Sequence, residues 1–267
     1  MSILGVDSGS SIVKLVLIDK KGEILHKAML NKTPILQAIE TFTNNNKINI
    51  NSIEKIVLTG VGKDEVEGNI YNIPTIRINE FEAIGIGGLY LSNQQNGLVI
   101  SIGTGTAFVK ATQKHCEHIG GTGVGGGTLL NLCKKFGNVN SFKEINNIIP
   151  KGSLKNVDLT VQDVATHEIK TLPKDTTSAN FGKLNENASK EDIILGITNM
   201  VFETIGMMAV FATQNTNTKN IIVVGSVATM PYIKTVFAKI EKMYNLKFII
   251  PKEAEFACTL GAIKVAN

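Results

Sequence analysis

The hydrophobic pattern opens with three short apolar runs, 3–6, 12–18 and 23–30, separated by Asp7-Ser8-Gly9-Ser10-Ser11 and Asp19-Lys20-Lys21-Gly22. Runs of that length between turn-forming residues predict three β-strands joined by tight turns. The period then changes. Over 33–43, Ile35, Leu36, Ile39 and Phe42 recur three and four residues apart, the spacing of one helix face. A strand is predicted over 53–59, ending at Gly60-Val61-Gly62, and a short one over 76–78. Residues 83–91 are mostly small or apolar and predict a tightly packed helix.

At residue 99 the pattern starts again. Two apolar runs flank Gly103-Thr104-Gly105-Thr106, which predicts a second hairpin. Residues 3–14 lie over 99–110 without a gap; Gly9 meets Gly105 and Lys14 meets Lys110. Such a repeat points to duplication, with chance likeness of two hairpins as the alternative. A polar crossing leads to a glycine cluster over 120–127, then helices are predicted over 128–135 and 141–148. Residues 150–191 are polar and predict only short pieces. The long apolar stretch 193–214 is interrupted by Asn199 and Glu203, so it predicts a core helix and not a membrane span. A strand over 221–224, an amphipathic helix over 231–243, a strand over 247–250 and a helix over 256–266 complete the chain. Strands alternating with helices predict an α/β protein. No linker-like segment intervenes, so two intimately joined halves are expected, 1–95 and 96–267.

Composition narrows the picture. At 267 residues, 43% hydrophobic and 19% charged, the chain fits a soluble globular protein with a large core. The net charge of +4 comes with no basic run interleaved with aromatics, which argues against nucleic acid as a partner. The three cysteines, Cys116, Cys133 and Cys258, have no metal-ligand spacing and suit a reducing cytosol. A strand predicted from residue 3 leaves no room for a signal peptide, so a cytoplasmic protein without a membrane partner is expected.

The glycine turns carry the candidate chemistry. Glycine lets backbone N–H groups approach an anion closely, and neighbouring Ser and Thr hydroxyls add donors. Two such turns facing each other would clamp a polyphosphate between the halves. The second glycine cluster precedes a helix, where anions also bind. Glu80 follows the short strand; the alternatives are a functional carboxylate in a cleft and a solvated acid at a helix start. Glu82, two residues on, would point to the opposite face if the strand continued.

Seven segments in order carry a family likeness: GVDSGSSIVK, EFEA at 80–83, SIGTGT at 101–106, GGTGVGGGTLLNLC, SANFG at 178–182, VVGS at 223–226 and EFACTLGAI. Together they resemble the actin-like ATPase superfamily of sugar kinases, Hsp70 and actin, and within it type II pantothenate kinases. The resemblance implies a duplicated ribonuclease-H-like fold, two halves with mixed sheets flanked by helices and a nucleotide cleft between them. It implies ATP and Mg2+ as cofactors, pantothenate as substrate, and a homodimer; the helix over 193–213, apolar on much of its surface, is a candidate to pair with a copy of itself. By the same resemblance Asp7 would orient Mg2+, through water. Ser8, Gly9, Ser10, Ser11 and Lys14 would form the first phosphate loop. Thr104 would contact pantothenate or phosphate. Gly125, Gly126, Gly127, Thr128, Leu129, Leu130 and Phe142 would lie by the nucleotide, and Ser226 by its adenosine. Glu80 matches the family's catalytic base.

Two departures stand out. Ser10 and Ser11 follow Gly9 where the family has a second glycine and a threonine. His118 stands where the family has an arginine that holds the substrate carboxylate. Histidine offers no bidentate fork, and Lys114 or His115 is a candidate to compensate. The leading expectation is therefore phosphorylation of pantothenate. A kinase of another small hydroxy acid is one alternative. A nucleotide-binding regulator of the same fold is another, although dehydratase activators hold a cysteine-ligated iron–sulfur cluster for which these cysteines lack the spacing.

Overall fold

The computed structural model describes residues 2–267 apart from 168, 170, 171, 215 and 217. The first half begins with β1 (Ser2–Ser8), β2 (Ile12–Asp19) and β3 (Ile24–Asn31), an antiparallel meander. Helix α1 (Ile35–Asn45) follows, and then β4 (Ile53–Thr59) and β5 (Thr75–Arg77), which extend the sheet in parallel to the order β3-β2-β1-β4-β5. Helix α2 (Glu80–Ser92) leads to the second half.

That half repeats the topology. Strands β6 (Asn96–Ile102), β7 (Thr106–Thr112) and β8 (Cys116–Thr122) form a second meander. Then come α3 (Gly126–Gly137), α4 (Phe142–Ile148), a two-stranded ribbon of β9 (Leu159–Thr160) and β10 (Thr177–Ala179) with α5 (Val161–Val164) between them, and α6 (Lys190–Thr213). After α6 the chain runs through β11 (Asn220–Val224), α7 (Tyr232–Tyr244), β12 (Lys247–Ile249) and α8 (Ala257–Val265). The second sheet has the order β12-β11-β6-β7-β8, with β11 parallel to both neighbours. Strand for strand it copies the first. This is the duplicated ribonuclease-H-like α/β architecture of actin-like ATPases.

Three differences from the sequence reading have physical causes. The polar crossing after β7 is in fact strand β8. It is an edge strand, mostly outside the core, and its hydrogen bonds to β7 rather than apolar alternation make it a strand. Helix α2 starts at Glu80 and not at residue 83, because the Asn79 side chain accepts from the amides of Phe81 (2.9 Å) and Glu82 (3.3 Å) and caps it. The gap-free repeat also breaks at the turns. Lys14 sits opposite Asp7 and is buried, whereas Lys110 sits opposite Leu98 and is exposed. The β6–β7 turn is tighter, so the two lysines are not equivalent.

Helices α2 and α8 lie between the sheets and pack with Val16 and Val57 of the first and with Val99, Val109 and Ile222 of the second. They touch backbone to backbone. A Cβ on Gly87 would come within 1.9 Å of the Ala257 carbonyl, and one on Gly261 within 1.9 Å of the Ala83 carbonyl. The small residues of α2 are thus set by its partner helix. Helix α6 is long and apolar enough to cross a membrane by composition, yet Ile194, Val201, Phe202, Ile205 and Ala209 are fully buried in the core of the second half.

Candidate active site

The two hairpin turns meet. Ser10 Oγ and Ser11 Oγ, from the first turn, each lie 2.9 Å from Thr104 Oγ1 in the second. The first turn closes through the Gly9 amide, which donates to the Ile12 carbonyl at 3.1 Å. The second closes through the Gly103 amide, which donates to the Gly105 carbonyl at 2.9 Å. The two turns thus face each other in contact, one from each sheet.

Beside the clasp lies a cavity of about 380 Å³. Asp7, Gly9, Ser10, Ser11, Lys14, Glu80, Thr104, His118 and Ser226 all line it. Lys14 Nζ is 3.5 Å from Asp7 Oδ2, and both side chains are about nine-tenths buried (11% and 8% exposed). Their opposition is set by the β1–β2 register. Gly60, at φ +86°, follows β4 beside them; a Cβ there would fall 2.6 Å from Asp7 Oδ1, so only glycine allows both that backbone and this carboxylate. Glu80, half-buried in the first turn of α2, shares the cavity. Burial raises its carboxyl above the ordinary range, and the charge of Asp7 raises it further, while Lys14 and Lys63 partly offset both. Glu82 leaves the site. Two residues on along a helix it turns to the far side, where it lines a separate cavity.

His118 lies flat against Phe81, with ring centroids 3.9 Å apart and planes 8° from parallel. Phe81, Val61, Glu255 and Cys258 also line the cavity, and sequence reasoning does not single them out, although Phe81, Glu255 and Cys258 lie within the EFEA and EFACTLGAI segments. Burial pushes the Cys258 thiol well above its ordinary value, so it stays protonated.

Other expected residues stand elsewhere. Ser8 is fully buried behind the turn and its Oγ accepts from Lys32 Nζ at 3.0 Å. Gly125, Gly126 and Gly127 back the second turn instead of facing the cavity. The amides of Gly126 and Gly127 donate to the carbonyls of Gly103 and Thr104, both at 2.8 Å. A Cβ on Gly125 would fall 2.7 Å from the Thr104 carbonyl oxygen. Thr128 Oγ1 donates to the Gly123 carbonyl at 2.8 Å. Leu129 is wholly in the core, and its amide is taken by the Gly125 carbonyl, so neither part of it is free for a ligand. Leu130 packs against the same core, as does Phe142, whose ring lies beside Gly126. The second glycine cluster thus buttresses the turn that lines the cleft.

Asp7 offers a carboxylate at the cavity, which suits a hydrated Mg2+ that keeps most of its waters. Thr59 stands opposite Asp7 across β1 and β4 but is fully buried, and its hydroxyl is paired with the Cys258 thiol. Among the described residues no group of three His, Cys, Asp or Glu side chains converges on one point, so an all-protein cage is not what this site presents.

A family model described as Fumble matches residues 92–244. A type II pantothenate kinase of Bacillus cereus (strain AH820) is 25% identical over 280 residues, covering 100% of this chain and 98% of the relative. One from Staphylococcus epidermidis is 27% identical over 232 residues, covering 84% of each. Among solved structures, the activator of 2-hydroxyisocaproyl-CoA dehydratase from Clostridium difficile, with bound ADPNP, superposes with a TM-score of 0.69 at 19% identity over 98% of this chain and 92% of that one. A ROK family glucokinase from Streptomyces griseus, in complex with glucose and AMPPNP, gives 0.68 at 13% identity, covering 99% of both. At these identities the structural likeness speaks for the fold alone.

Proposed function

The chain belongs to the Fumble family, and from that premise we propose that it transfers the terminal phosphoryl group of ATP to the primary hydroxyl of pantothenate, the first step toward coenzyme A. The observation that carries the reading is the convergence of Glu80 with Asp7, Lys14 and both hairpin turns on one cavity. The full-length similarity to type II pantothenate kinases supplies the acceptor.

The residues divide the work as phosphoryl transfer requires, positioning and charge neutralisation with one proton removed. Gly9, Ser10, Ser11 and Thr104 surround the phosphates from both halves. Lys14 places its charge on the transferring group. Glu80 takes the proton of the acceptor hydroxyl as the new P–O bond forms and the bond to the ADP oxygen breaks. Its raised carboxyl makes it a stronger base than an ordinary glutamate, at the cost of being protonated more readily as pH falls. Asp7 would hold Mg2+ through water, and the ion would supply further neutralisation of the phosphates. Gly125 to Thr128 act by fixing the Thr104 turn; Ser226, at the cavity wall, meets the adenosine side. His118 meets the acceptor.

The same reading takes 1–95 and 96–267 as halves that close on the nucleotide, and the protein as a cytoplasmic homodimer. Helix α6 supports the dimer, since Met200, Thr204, Met207 and Met208 are only partly covered and Phe211 is 61% exposed along one side. The regulator reading finds no support in the cysteines: Cys133 lies in the core of the second half and Cys258 between the halves. An ATP-consumption assay with pantothenate and related hydroxy acids tests the proposal. ATP binding without phosphorylation of any such acid would transfer the assignment to the regulator.

A further inference from the structure

Glu255 lines the site cavity and has no task in the phosphoryl transfer described above. It sits in the short turn Ala254–Phe256, which leads from β12 into α8. That turn is fixed. The Gly225 amide donates to the Ala254 carbonyl, and the Phe256 amide donates to the Glu253 carbonyl, both at 2.8 Å. Lys27, on β3, pairs with Glu253 and stands over the Phe256 ring, 5.3 Å from its centroid. Lys27 is thus engaged on both flanks of Glu255, while among the described residues Glu255 itself forms no ion pair. Its half-buried carboxylate faces the cavity without a cation. The strand register says which end of the cavity this is. Val224 pairs with Ser101 across β11 and β6, so Gly225 and Ser226 stand level with Ile102 and Gly103, where the second hairpin turn begins. The Glu255 turn hangs on Gly225 there. The charges that act on Glu80 come from Asp7, Lys14 and Lys63, and Glu255 is not among them, so it lies away from the reacting end.

We propose that Glu255 is a specificity residue for the nucleotide sugar: its two carboxylate oxygens accept hydrogen bonds from the 2′ and 3′ hydroxyls of the ribose. The inference rests on the ATP reading of the cavity and not on pantothenate as the acceptor. Chemistry selects the sugar. A carboxylate offers acceptors only, and it repels phosphates, so its ligand group must be a donor. With the phosphates between the two turns, the group that follows them toward Ser226 is the ribose. Its adjacent hydroxyls match the two oxygens of one carboxylate. A site that accepts from a hydroxyl rejects a ligand lacking it, because its own polar group is then left unpaired. Glu255 therefore makes the cavity select ribonucleotides over deoxyribonucleotides.

Calorimetric titration with ADP, 2′-deoxy-ADP, 3′-deoxy-ADP and inosine diphosphate tests this with no acceptor present. The native protein should bind ADP about tenfold more tightly than either deoxy form, the size of one hydrogen bond to a charged group. Glu255→Ala should weaken ADP to the level of the deoxy forms and leave those forms unchanged. Glu255→Gln keeps one carbonyl oxygen and should retain part of the discrimination. The ratio of two ligands within one variant cancels general losses of stability. Equal affinity for ADP and both deoxy forms in the native protein, or a preference that survives Glu255→Ala, overturns the proposal. If Glu255→Ala instead erases a preference for ADP over inosine diphosphate and leaves the sugar preference intact, Glu255 meets the base and the proposal is again overturned. The expected ratios in a protein that phosphorylates no pantothenate-like acid would support the ribose contact while the kinase reading fails; no binding of any of the four would remove both.

Discussion

Glu80→Gln isolates the proton transfer. The substitution keeps the side chain's shape at the start of α2 and removes its charge. Three consequences follow from the surroundings. The Asn79 cap uses the amides of Phe81 and Glu82, not the Glu80 side chain, so the helix start survives. A negative side chain at a helix N-terminus contributes about 0.3–1 kcal/mol, which is lost. Repulsion from Asp7 and the burial of a charge are lost too, and these oppose the first loss. The net effect on stability should stay within about 1 kcal/mol. Catalysis should respond far more. Removing a general base costs about 10²–10⁴ in rate, or roughly 3–5 kcal/mol of barrier. Steady-state turnover with pantothenate reads the catalytic loss, and calorimetric titration with ATP reads whether the nucleotide site is intact. Turnover down by two orders of magnitude or more, with ATP affinity unchanged within a few fold, is the expected result. Native turnover in the Glu80→Gln protein would refute Glu80 as the base. Glu82 would not inherit the role, because it opens onto a different cavity.

Other outcomes can be checked alongside. Turnover should fall as pH drops through the Glu80 pKa, at a pH above the ordinary carboxylate range, and Lys63→Met should move that acid limb still higher because an offsetting cation is gone; a kcat–pH profile shows both. Lys14→Ala leaves Asp7 buried without its cation, which should cost about 3–5 kcal/mol in stability and raise the KM for ATP, measured by denaturant melts and kinetics. Gly261→Ala drives a methyl group into the Ala83 carbonyl and should destabilise by about 1–3 kcal/mol in thermal melts, the overpacking range. His118→Arg should lower the KM for pantothenate by up to about tenfold at constant kcat, since a charged fork replaces an imidazole.

The linear pattern determined the elements and their duplication. Short apolar runs between polar clusters marked most of the strands, and the glycine turns at Gly9 and at Gly103–Gly105 marked the clasp, because turn chemistry is local and leaves its residues in the sequence. Glu80 was legible as a carboxylate after a short strand, whereas Asp7 and Lys14 became candidates only through the resemblance carried by GVDSGSSIVK. What faces what was decided only in three dimensions. The glycines over 125–127 read as ligand contacts and are instead a buttress, since the amides of Gly126 and Gly127 are taken by the carbonyls of Gly103 and Thr104. Leu129 read as a nucleotide neighbour and is core, because a helix face is buried or exposed by what packs on it. Lys14 and Lys110 match in sequence, yet register alone places one beside Asp7 and leaves the other in water. The stack of Phe81 on His118 joins an N-terminal helix to an edge strand. Nothing in either segment encodes it, because the contact exists only once α2 and the two sheets have packed and brought distant residues within reach.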